Sequence, residues 1–192
     1  MSLEASVLEL VRSAVTVKSA VLEDKRLVSG IAMLAETTKA TLQGGGKVFF
    51  AGNGGSFADS MHLAAEFIAR FDRDRGPLAA IALGTNNSAL SAIGNDYSFA
   101  DIFARELESL GRQGDLFIGI STSGNSENIV RAVTVAKDNQ LEVCCLTGQD
   151  GGRLKGLADC LCVPSTVTAR IQETHILIGH IVCELVDELF AE

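Results

Sequence analysis

No run of apolar residues in the chain approaches the roughly 20 that a membrane-spanning helix needs, although 47% of the residues are hydrophobic. Residues 1–4 also lack the cationic and apolar regions of a signal peptide. We therefore expect no membrane association and a cytoplasmic location. The composition, with two prolines and no tryptophan in 192 residues, is typical of a single compact α/β domain.

Basic residues are too few and too scattered to form a nucleic-acid-binding surface. The chain has 16 Lys and Arg against 24 Asp and Glu, which gives a net charge of −8. Without a basic stripe to neutralise a phosphate backbone, we expect no direct binding of nucleic acid. A small anionic ligand would have to be held locally by hydroxyl groups and backbone N–H groups.

Several familiar motifs are also missing. The five cysteines form no C-x-x-C pair and lie in apolar segments, so we expect reduced thiols in the core. There is no G-x-x-x-x-G-K-S/T loop, and Phe57 stands where a dinucleotide fingerprint that starts at Gly52 needs its third glycine. Residues 119–123 place a serine where the last glycine of a G-x-S-x-G elbow belongs. Nucleotide binding and serine hydrolysis are therefore not supported.

The hydrophobic pattern predicts two helices in residues 1–43, followed by strands that alternate with helices. The predicted strands are residues 48–51, 78–83, 116–120, 143–146 and 160–163, and the later helices are residues 58–71, a helix that ends at Lys137, and residues 168–190. Continuous apolar strands of this kind form a parallel sheet covered on both faces. Ligands of such sheets bind beyond the carboxyl ends of the strands.

Two turns at these strand ends are candidates for ligand binding. Residues 121–126 carry four hydroxyl groups and a glycine before a helix N-terminus, which predicts a phosphate site without lysine. The alternative, that Ser126 only caps the helix, explains one hydroxyl group. In residues 52–56, Ser56 and Asp59 could form a capping box, but Asn53 between glycines is well placed to bind a ligand hydroxyl.

Polar side chains on two predicted helices form a second candidate cluster. His62 and Glu66 lie four residues apart, so they share one helix face, which we expect near the strand ends. Gln172 and His180 lie on one face of the closing helix. If the helices converge, these four side chains could bind zinc, or Glu66 and His180 could act as acid and base. His175 is interpreted as structural or as an exposed polar residue.

Five ordered segments resemble the sugar isomerase (SIS) family, and within it the phosphoheptose isomerases: residues 52–56, 92–96, 121–126, 146–148 and 169–173. The resemblance implies a three-layer sandwich with a five-stranded parallel sheet. It also implies conversion of sedoheptulose 7-phosphate to D-glycero-D-manno-heptose 7-phosphate for lipopolysaccharide or capsule heptose. Residues 1–43 would be oligomerisation helices and residues 44–192 the SIS domain of one overall unit, in a homotetramer with sites between subunits.

The resemblance also implies roles for individual residues. The substrate-binding set is Asn53, Gly54, Gly55, Ser56, Glu66, Asn95, Asp96, Ser121, Thr122, Ser123, Ser126 and Gln172. One zinc ion per subunit would be bound by His62, Glu66, Gln172 and His180, and Glu66 and His180 would carry the acid–base steps. Ala169 replaces an acidic residue of some relatives, and residues 84–90 are interpreted as a polar loop with no assigned role.

Two other functions remain open from the sequence. Some SIS proteins regulate rather than catalyse, for example by binding the bacterial replication initiator, and others sense sugar phosphates. The presence of His62, Glu66 and His180 together favours the enzyme, because a binding module has no evident need for all three.

Overall fold

A computed structural model describes residues 2–190 as alternating helices and strands. Met1 and residues 191–192, which belong to the predicted N-terminal and SIS segments, lie outside the described residues. The helices are α1 (Leu3–Glu23), α2 (Lys25–Gln43), α3 (Gly55–Ile68), α4 (Asn87–Asp96), α5 (Ile102–Leu110), α6 (Glu127–Asp138) and α7 (Thr168–Phe190). The strands are β1 (Val48–Gly52), β2 (Ala80–Ala82), β3 (Leu116–Ser121), β4 (Glu142–Thr147) and β5 (Asp159–Cys162).

The five strands form one parallel sheet in the order β2-β1-β3-β4-β5. Gly52 pairs with Ile120, and Ser121 pairs with Thr147. The carboxyl ends of the three central strands are therefore nearly level, and the turns that follow them lie along one edge. The predicted five-stranded parallel sheet is confirmed.

Helices cover both faces of the sheet, as the three-layer prediction requires. Because successive strand residues point to opposite faces, Phe50 and Ile118 belong to a core shared with α2, α3 and α7. Phe49 and Phe117 belong to a second core, under α5 and α6. The helices that carry the predicted His, Glu and Gln cluster are thus neighbours on one face.

The first two helices differ in how they meet the rest of the molecule. The Asp24 carboxylate accepts hydrogen bonds from the backbone N–H groups of Arg26 (2.9 Å) and Leu27 (3.1 Å), which caps α2. α2 then packs on the sheet, whereas in α1 the buried side chain is that of Val21. The exposed large apolar residues of α1 are Leu3, Val7, Leu8, Leu10, Val11, Val15 and Leu22.

The structure corrects three details of the sequence prediction. The helix predicted at residues 58–71 begins three residues earlier and ends at Ile68. Asn87, placed in a polar loop, is the first residue of α4, and the Asn86 side chain accepts a hydrogen bond from the Ala89 N–H group at 3.1 Å. Neither α4 nor α5 was predicted. In α4 no side chain of the described structure is fully buried, and Leu90 and Ile93 pack only partly against the core, which gives the weak apolar pattern of its sequence.

No helix in residues 2–190 combines the length and apolar character that crossing a bilayer requires.

The cysteines are reduced in the described part of the chain: all five are free thiols, and Cys144, Cys145 and Cys183 are buried. Burial raises the pKa of the Cys144 and Cys183 thiols to about 12. These thiols therefore remain protonated at neutral pH, as expected for core residues.

His175 is a buried structural residue rather than an exposed one. Its side chain is fully enclosed, and its Nε2–H group donates a hydrogen bond to the Thr147 carbonyl oxygen at 3.1 Å. Its Nδ1 atom finds no hydrogen-bond partner in residues 2–190. Burial lowers the pKa of His175 to about 4, although the bond to Thr147 opposes the shift. The neutral ring thus joins α7 to the end of β4.

This lowered pKa predicts a loss of stability in acid. Below pH 6.5 the unfolded chain binds a proton at His175 that the folded protein takes up only near pH 4, so the free energy of unfolding falls across this interval. The effect is at most about 3 kcal/mol. We expect the stability difference between wild type and His175→Asn, measured by urea unfolding, to be smaller at pH 4.5 than at pH 7. Equal differences at the two pH values would contradict the assignment.

Candidate active site

The hydroxyl-rich loop, residues 121–126, joins the end of β3 to α6. The Ser121 and Ser126 hydroxyl groups share a hydrogen bond at 2.9 Å. The Ser126 hydroxyl therefore faces the loop instead of an N–H group of α6, and the capping alternative is wrong. The N–H groups of the first turn of α6 point toward the same loop, where their partial positive charge favours an anion.

A neighbouring loop, residues 148–154, holds the hydroxyl-rich loop from behind. The Gly148 N–H group donates to the Thr122 carbonyl oxygen at 3.0 Å, and the Leu154 N–H group donates to the Gly124 carbonyl oxygen at 3.1 Å. Gly124 has a φ of +65°, and a Cβ atom there would collide with the Gly151 carbonyl oxygen. The loop is thus shaped by backbone packing before any ligand binds.

The second turn, residues 52–56, lies beside it at the end of β1. α3 begins at Gly55, so Ser56 lies inside the first turn, and the alternative that Ser56 and Asp59 form a capping box is wrong. Ser56 is buried, and its carbonyl oxygen accepts a hydrogen bond from the Ser60 hydroxyl at 2.8 Å. Gly54 and Gly55 are exposed, so their backbone is open to a ligand.

A pair of side-chain amides joins the two turns. Asn53 Nδ2 donates to Asn128 Oδ1 at 2.9 Å, and Asn128 Nδ2 donates to Asn53 Oδ1 at 2.8 Å. Asn128 is buried in the first turn of α6. Asn53 was expected to bind a ligand hydroxyl, but this pairing occupies one N–H group and one oxygen position of its amide. No local pattern could reveal the role of Asn128, because it lies 75 positions from Asn53.

Helices α3 and α7 lie side by side and run in the same direction, forming what we call the seam. Near its start a Cβ atom on Gly55 would lie 2.8 Å from Gln172 Nε2, and further along a Cβ atom on Gly179 would lie 2.5 Å from Leu63. Each glycine therefore permits the close approach of the two helices. The seam defines the face on which the predicted ligand residues meet.

The predicted histidines and glutamate converge at the middle of the seam. The Nε2 atoms of His62 and His180 are 2.9 Å apart, and His62 Nε2 lies 3.4 Å from Glu66 Oε1. The His62 side chain is 48% exposed and that of Glu66 is 22% exposed, so both can be reached from outside. The expected convergence of the two helices is confirmed for these three side chains.

Their position along the helices differs from the prediction. Glu66 comes eleven residues after Gly55, which is about 16 Å along α3, so it lies well away from the strand ends. Gln172 lies against Gly55 and is eight residues from His180, or about 12 Å along α7. The structure therefore places Gln172 near the turns and the other three residues deeper along the seam.

Asp59 is a further carboxylate near the histidines that sequence reasoning did not select as a ligand. Burial raises the pKa of Asp59 overall, although the nearby rings of His62 and His180 oppose the shift.

The predicted substrate-binding residues Asn95 and Asp96 lie elsewhere, at the exposed end of α4, where Asn95 Nδ2 donates to Asp96 Oδ1 at 2.7 Å. Within residues 2–190 no hydrogen bond links this pair to either turn.

The donor atoms of the seam suit zinc in their chemistry. Zinc binds imidazole nitrogen and carboxylate oxygen, and His62, Glu66 and His180 supply two of the former and one of the latter. Even so, no group of three or more His, Cys, Asp or Glu side chains in the described chain is arranged to hold a metal ion as it stands. The residues fit the ion, and metal binding would require their side chains to adjust.

A buried ion pair closes the far end of the seam and was not predicted. Arg75, after α3, pairs with Asp187 of α7, and their side chains are 2% and 1% exposed. Burial alone would raise the pKa of Asp187, but hydrogen bonds from Arg73, Asp72 and Arg75 lower it overall. Since the two residues are 112 positions apart, no local pattern in the sequence could reveal the pair.

Comparison with known proteins shows the family to which the chain belongs. The SIS domain family model matches residues 11–148. Phosphoheptose isomerase of Aneurinibacillus thermoaerophilus is 48% identical over 179 residues, which cover 93% of this chain and 90% of that protein.

Two solved structures share the whole fold. That of phosphoheptose isomerase from Neisseria gonorrhoeae superposes with a TM-score of 0.91 at 40% identity, over 97% of this chain and 100% of that one. The phosphoheptose isomerase from Francisella tularensis gives a TM-score of 0.92 at 35% identity, over 98% and 100%. The chain belongs to the SIS domain family and, within it, to the phosphoheptose isomerases, a class of aldose–ketose isomerase.

Proposed function

We propose that the chain converts sedoheptulose 7-phosphate into D-glycero-D-manno-heptose 7-phosphate in the cytoplasm, for the heptose of lipopolysaccharide or capsule. The observation that carries the proposal is the meeting of His62, Glu66 and His180 on the seam. A regulator or a sugar-phosphate sensor has no need of two imidazoles and a carboxylate in contact. Membership of an isomerase family supports the same choice.

The hydroxyl-rich loop is proposed to bind the substrate phosphate. Ser121, Thr122, Ser123 and Ser126 offer hydroxyl groups, and the first turn of α6 offers unpaired N–H groups. These groups attract an anion locally, in spite of the net charge of −8. Asn53, Gly54, Gly55 and Ser56 would contact the sugar from the neighbouring turn, together with Gln172, and Asn95 and Asp96 would contact it from α4.

The reaction requires a proton to leave C1 of the ketose and a proton to reach C2, through a cis-enediol. Glu66 and His180 are proposed to share these steps, because each can accept or donate a proton. Glu66 is partly enclosed by the seam, so it is held in place without losing access to a ligand. Binding of the phosphate at a distance would fix the orientation of the reacting carbons.

Zinc is proposed to bind at His62, Glu66 and His180. Gln172, the fourth ligand that the resemblance implies, lies about 12 Å from His180 along α7, so its side chain would have to reach along the seam to join them. A bound zinc ion would stabilise negative charge that develops on the sugar oxygens. A carboxylate or imidazole that is bound to metal is a weaker base, so the metal and acid–base roles of Glu66 and His180 compete.

We expect Glu66→Gln to lower turnover by about 10²- to 10⁴-fold, the usual cost of removing an acid–base group. Conversion of sedoheptulose 7-phosphate followed by proton NMR measures this. Glu184→Gln, an exposed change on α7, serves as the control and should leave turnover unchanged. Full activity of Glu66→Gln would show that Glu66 is not the acid or the base.

Removal of zinc tests the metal proposal. We expect dialysis against a chelator to reduce the NMR-measured turnover and added zinc to restore it. Replacing a residue that only supports a metal ligand typically costs about 10- to 100-fold in metal affinity. His62→Asn removes a proposed ligand itself, so we expect a larger loss of zinc affinity, measured by calorimetry. His175→Asn is the matched control, because His175 lies outside the ligand set and should leave zinc affinity intact. Activity that is indifferent to chelator and zinc would refute a required metal.

A homotetramer with sites between subunits is proposed from the surface of α1. Its apolar side chains are unusually exposed for one chain alone, for example Val7 at 57%. The separation of about 16 Å along α3 between Gly55 and Glu66 also supports a site that a second subunit completes. The division into oligomerisation helices, residues 1–43, and an SIS domain, residues 44–192, stays a prediction.

We expect Val7→Asp to reduce the mass measured by light scattering to that of smaller assemblies, because it buries a charge in an apolar interface. Turnover should fall with it if the site lies between subunits. Leu110→Asp, a similar change on α5, should leave both unchanged. A Val7→Asp protein that remains tetrameric and active would rule out this surface.

A further inference from the structure

Arg75 is the most fully bonded charged group near the seam. Its NH1 atom donates to the carbonyl oxygens of Phe67 (2.9 Å) and Gly76 (3.0 Å), and its NH2 atom donates to the carbonyl oxygen of Glu66 at 2.9 Å. Its Nε atom donates to the Asp187 carboxylate. The carbonyl groups in the last turn of a helix have no hydrogen-bond donors within the helix. At the end of α3 the Arg75 side chain supplies donors to two of them, those of Glu66 and Phe67.

Asp187 links this cap to the other helix of the seam. Its second carboxylate oxygen accepts hydrogen bonds from the N–H groups of Asp72 at 2.8 Å and Arg73 at 3.0 Å. Asp187 lies seven residues after His180, which is two turns along α7 on nearly the same face. One buried network therefore joins the backbone of Glu66 to the helix that carries His180.

Stability alone does not account for the buried Arg75–Asp187 pair. Apolar replacement of a buried ion pair is often neutral or stabilising, because desolvation offsets the attraction between the charges. A polar network in this place does something that apolar packing cannot, since its directional hydrogen bonds fix the register of two helices. The two helices joined here are the ones that carry Glu66 and His180.

We propose that Arg75, held by Asp187, is a positioning residue that aligns Glu66 with His180 for proton transfer. The inference rests on the proposed acid–base roles of those two side chains. The Arg75 guanidinium meets acceptors on α3 and α7 at once with a rigid planar set of donors, a geometry that the compact lysine ammonium lacks. Without the hydrogen bonds from the Arg75 guanidinium, the last turn of α3 is free to shift. The hydroxyl-rich loop, at the other end of the seam, is undisturbed.

Arg75→Lys tests the proposal in the full-length protein. Because small displacements of a catalytic group are costly, we expect kcat for sedoheptulose 7-phosphate to fall at least about tenfold, with KM within about twofold of wild type. Asp187→Asn should give a similar split, and combining the two changes should add little further loss. If Arg75→Lys does not fold, Asp187→Asn alone carries the test.

Two controls separate positioning from stability. Leu107→Ala empties part of the core under α5, remote from the seam, and should lower the unfolding midpoint without lowering kcat at a temperature where it stays folded. Arg73→Gln removes an exposed ion pair with Glu188 and should change neither quantity.

The outcomes also distinguish this inference from the proposed function. An unchanged kcat in Arg75→Lys while Glu66→Gln is inactive would overturn the positioning role alone. An equal loss of kcat in Leu107→Ala would likewise overturn it, because the effect would then follow stability. Full activity of Glu66→Gln would overturn the proposed roles themselves.

Discussion

The close approach of α3 and α7 is the constraint on which the rest of the site depends. Gly55 and Gly179 leave no Cβ atoms between the helices, so Gln172 and Leu63 fill the space directly. His62 and His180 come directly beside Leu63 and Gly179 in the sequence. At this helix spacing their rings are in contact. A side chain at Gly179 would press on Leu63 and push apart two histidines that are 118 positions apart in the sequence, whereas one at Gly55 would first displace the flexible Gln172 side chain.

The same two helices divide the chemistry of the site between their ends. Both start at the edge where β1, β3 and β4 end, so the hydroxyl groups and helix N–H groups collect there. The titratable side chains lie further along, where the helices are joined by side-chain contacts rather than by strands. Anion binding and proton transfer therefore depend on separate sets of contacts, and a change at one end need not disturb the other.

How far the sequence predicted this arrangement depends on the range of each interaction. The strands and α7 were readable because their apolar patterns are local, and the residues of α7 matched the prediction at both ends. Helical spacing placed His62 and Glu66 on one face, and the resemblance alone implied that they meet His180. The amide pair of Asn53 and Asn128 was not readable, since both residues look like ordinary turn and helix-cap residues until the fold joins them.

The Arg75–Asp187 pair shows why such long-range contacts matter more than their stability suggests. In the sequence, Arg75 looks like the other charged residues of its segment, residues 70–75. In the structure its side chain is buried against Asp187 of α7. Arg73, two residues earlier, forms an ion pair with Glu188 that is about half exposed and weak by comparison. The difference lies in the acceptors: Arg75 reaches carbonyl groups that the end of α3 leaves open. The position of Glu66 in the seam is thus fixed through its backbone carbonyl group, by Arg75, a residue that does not face the candidate site.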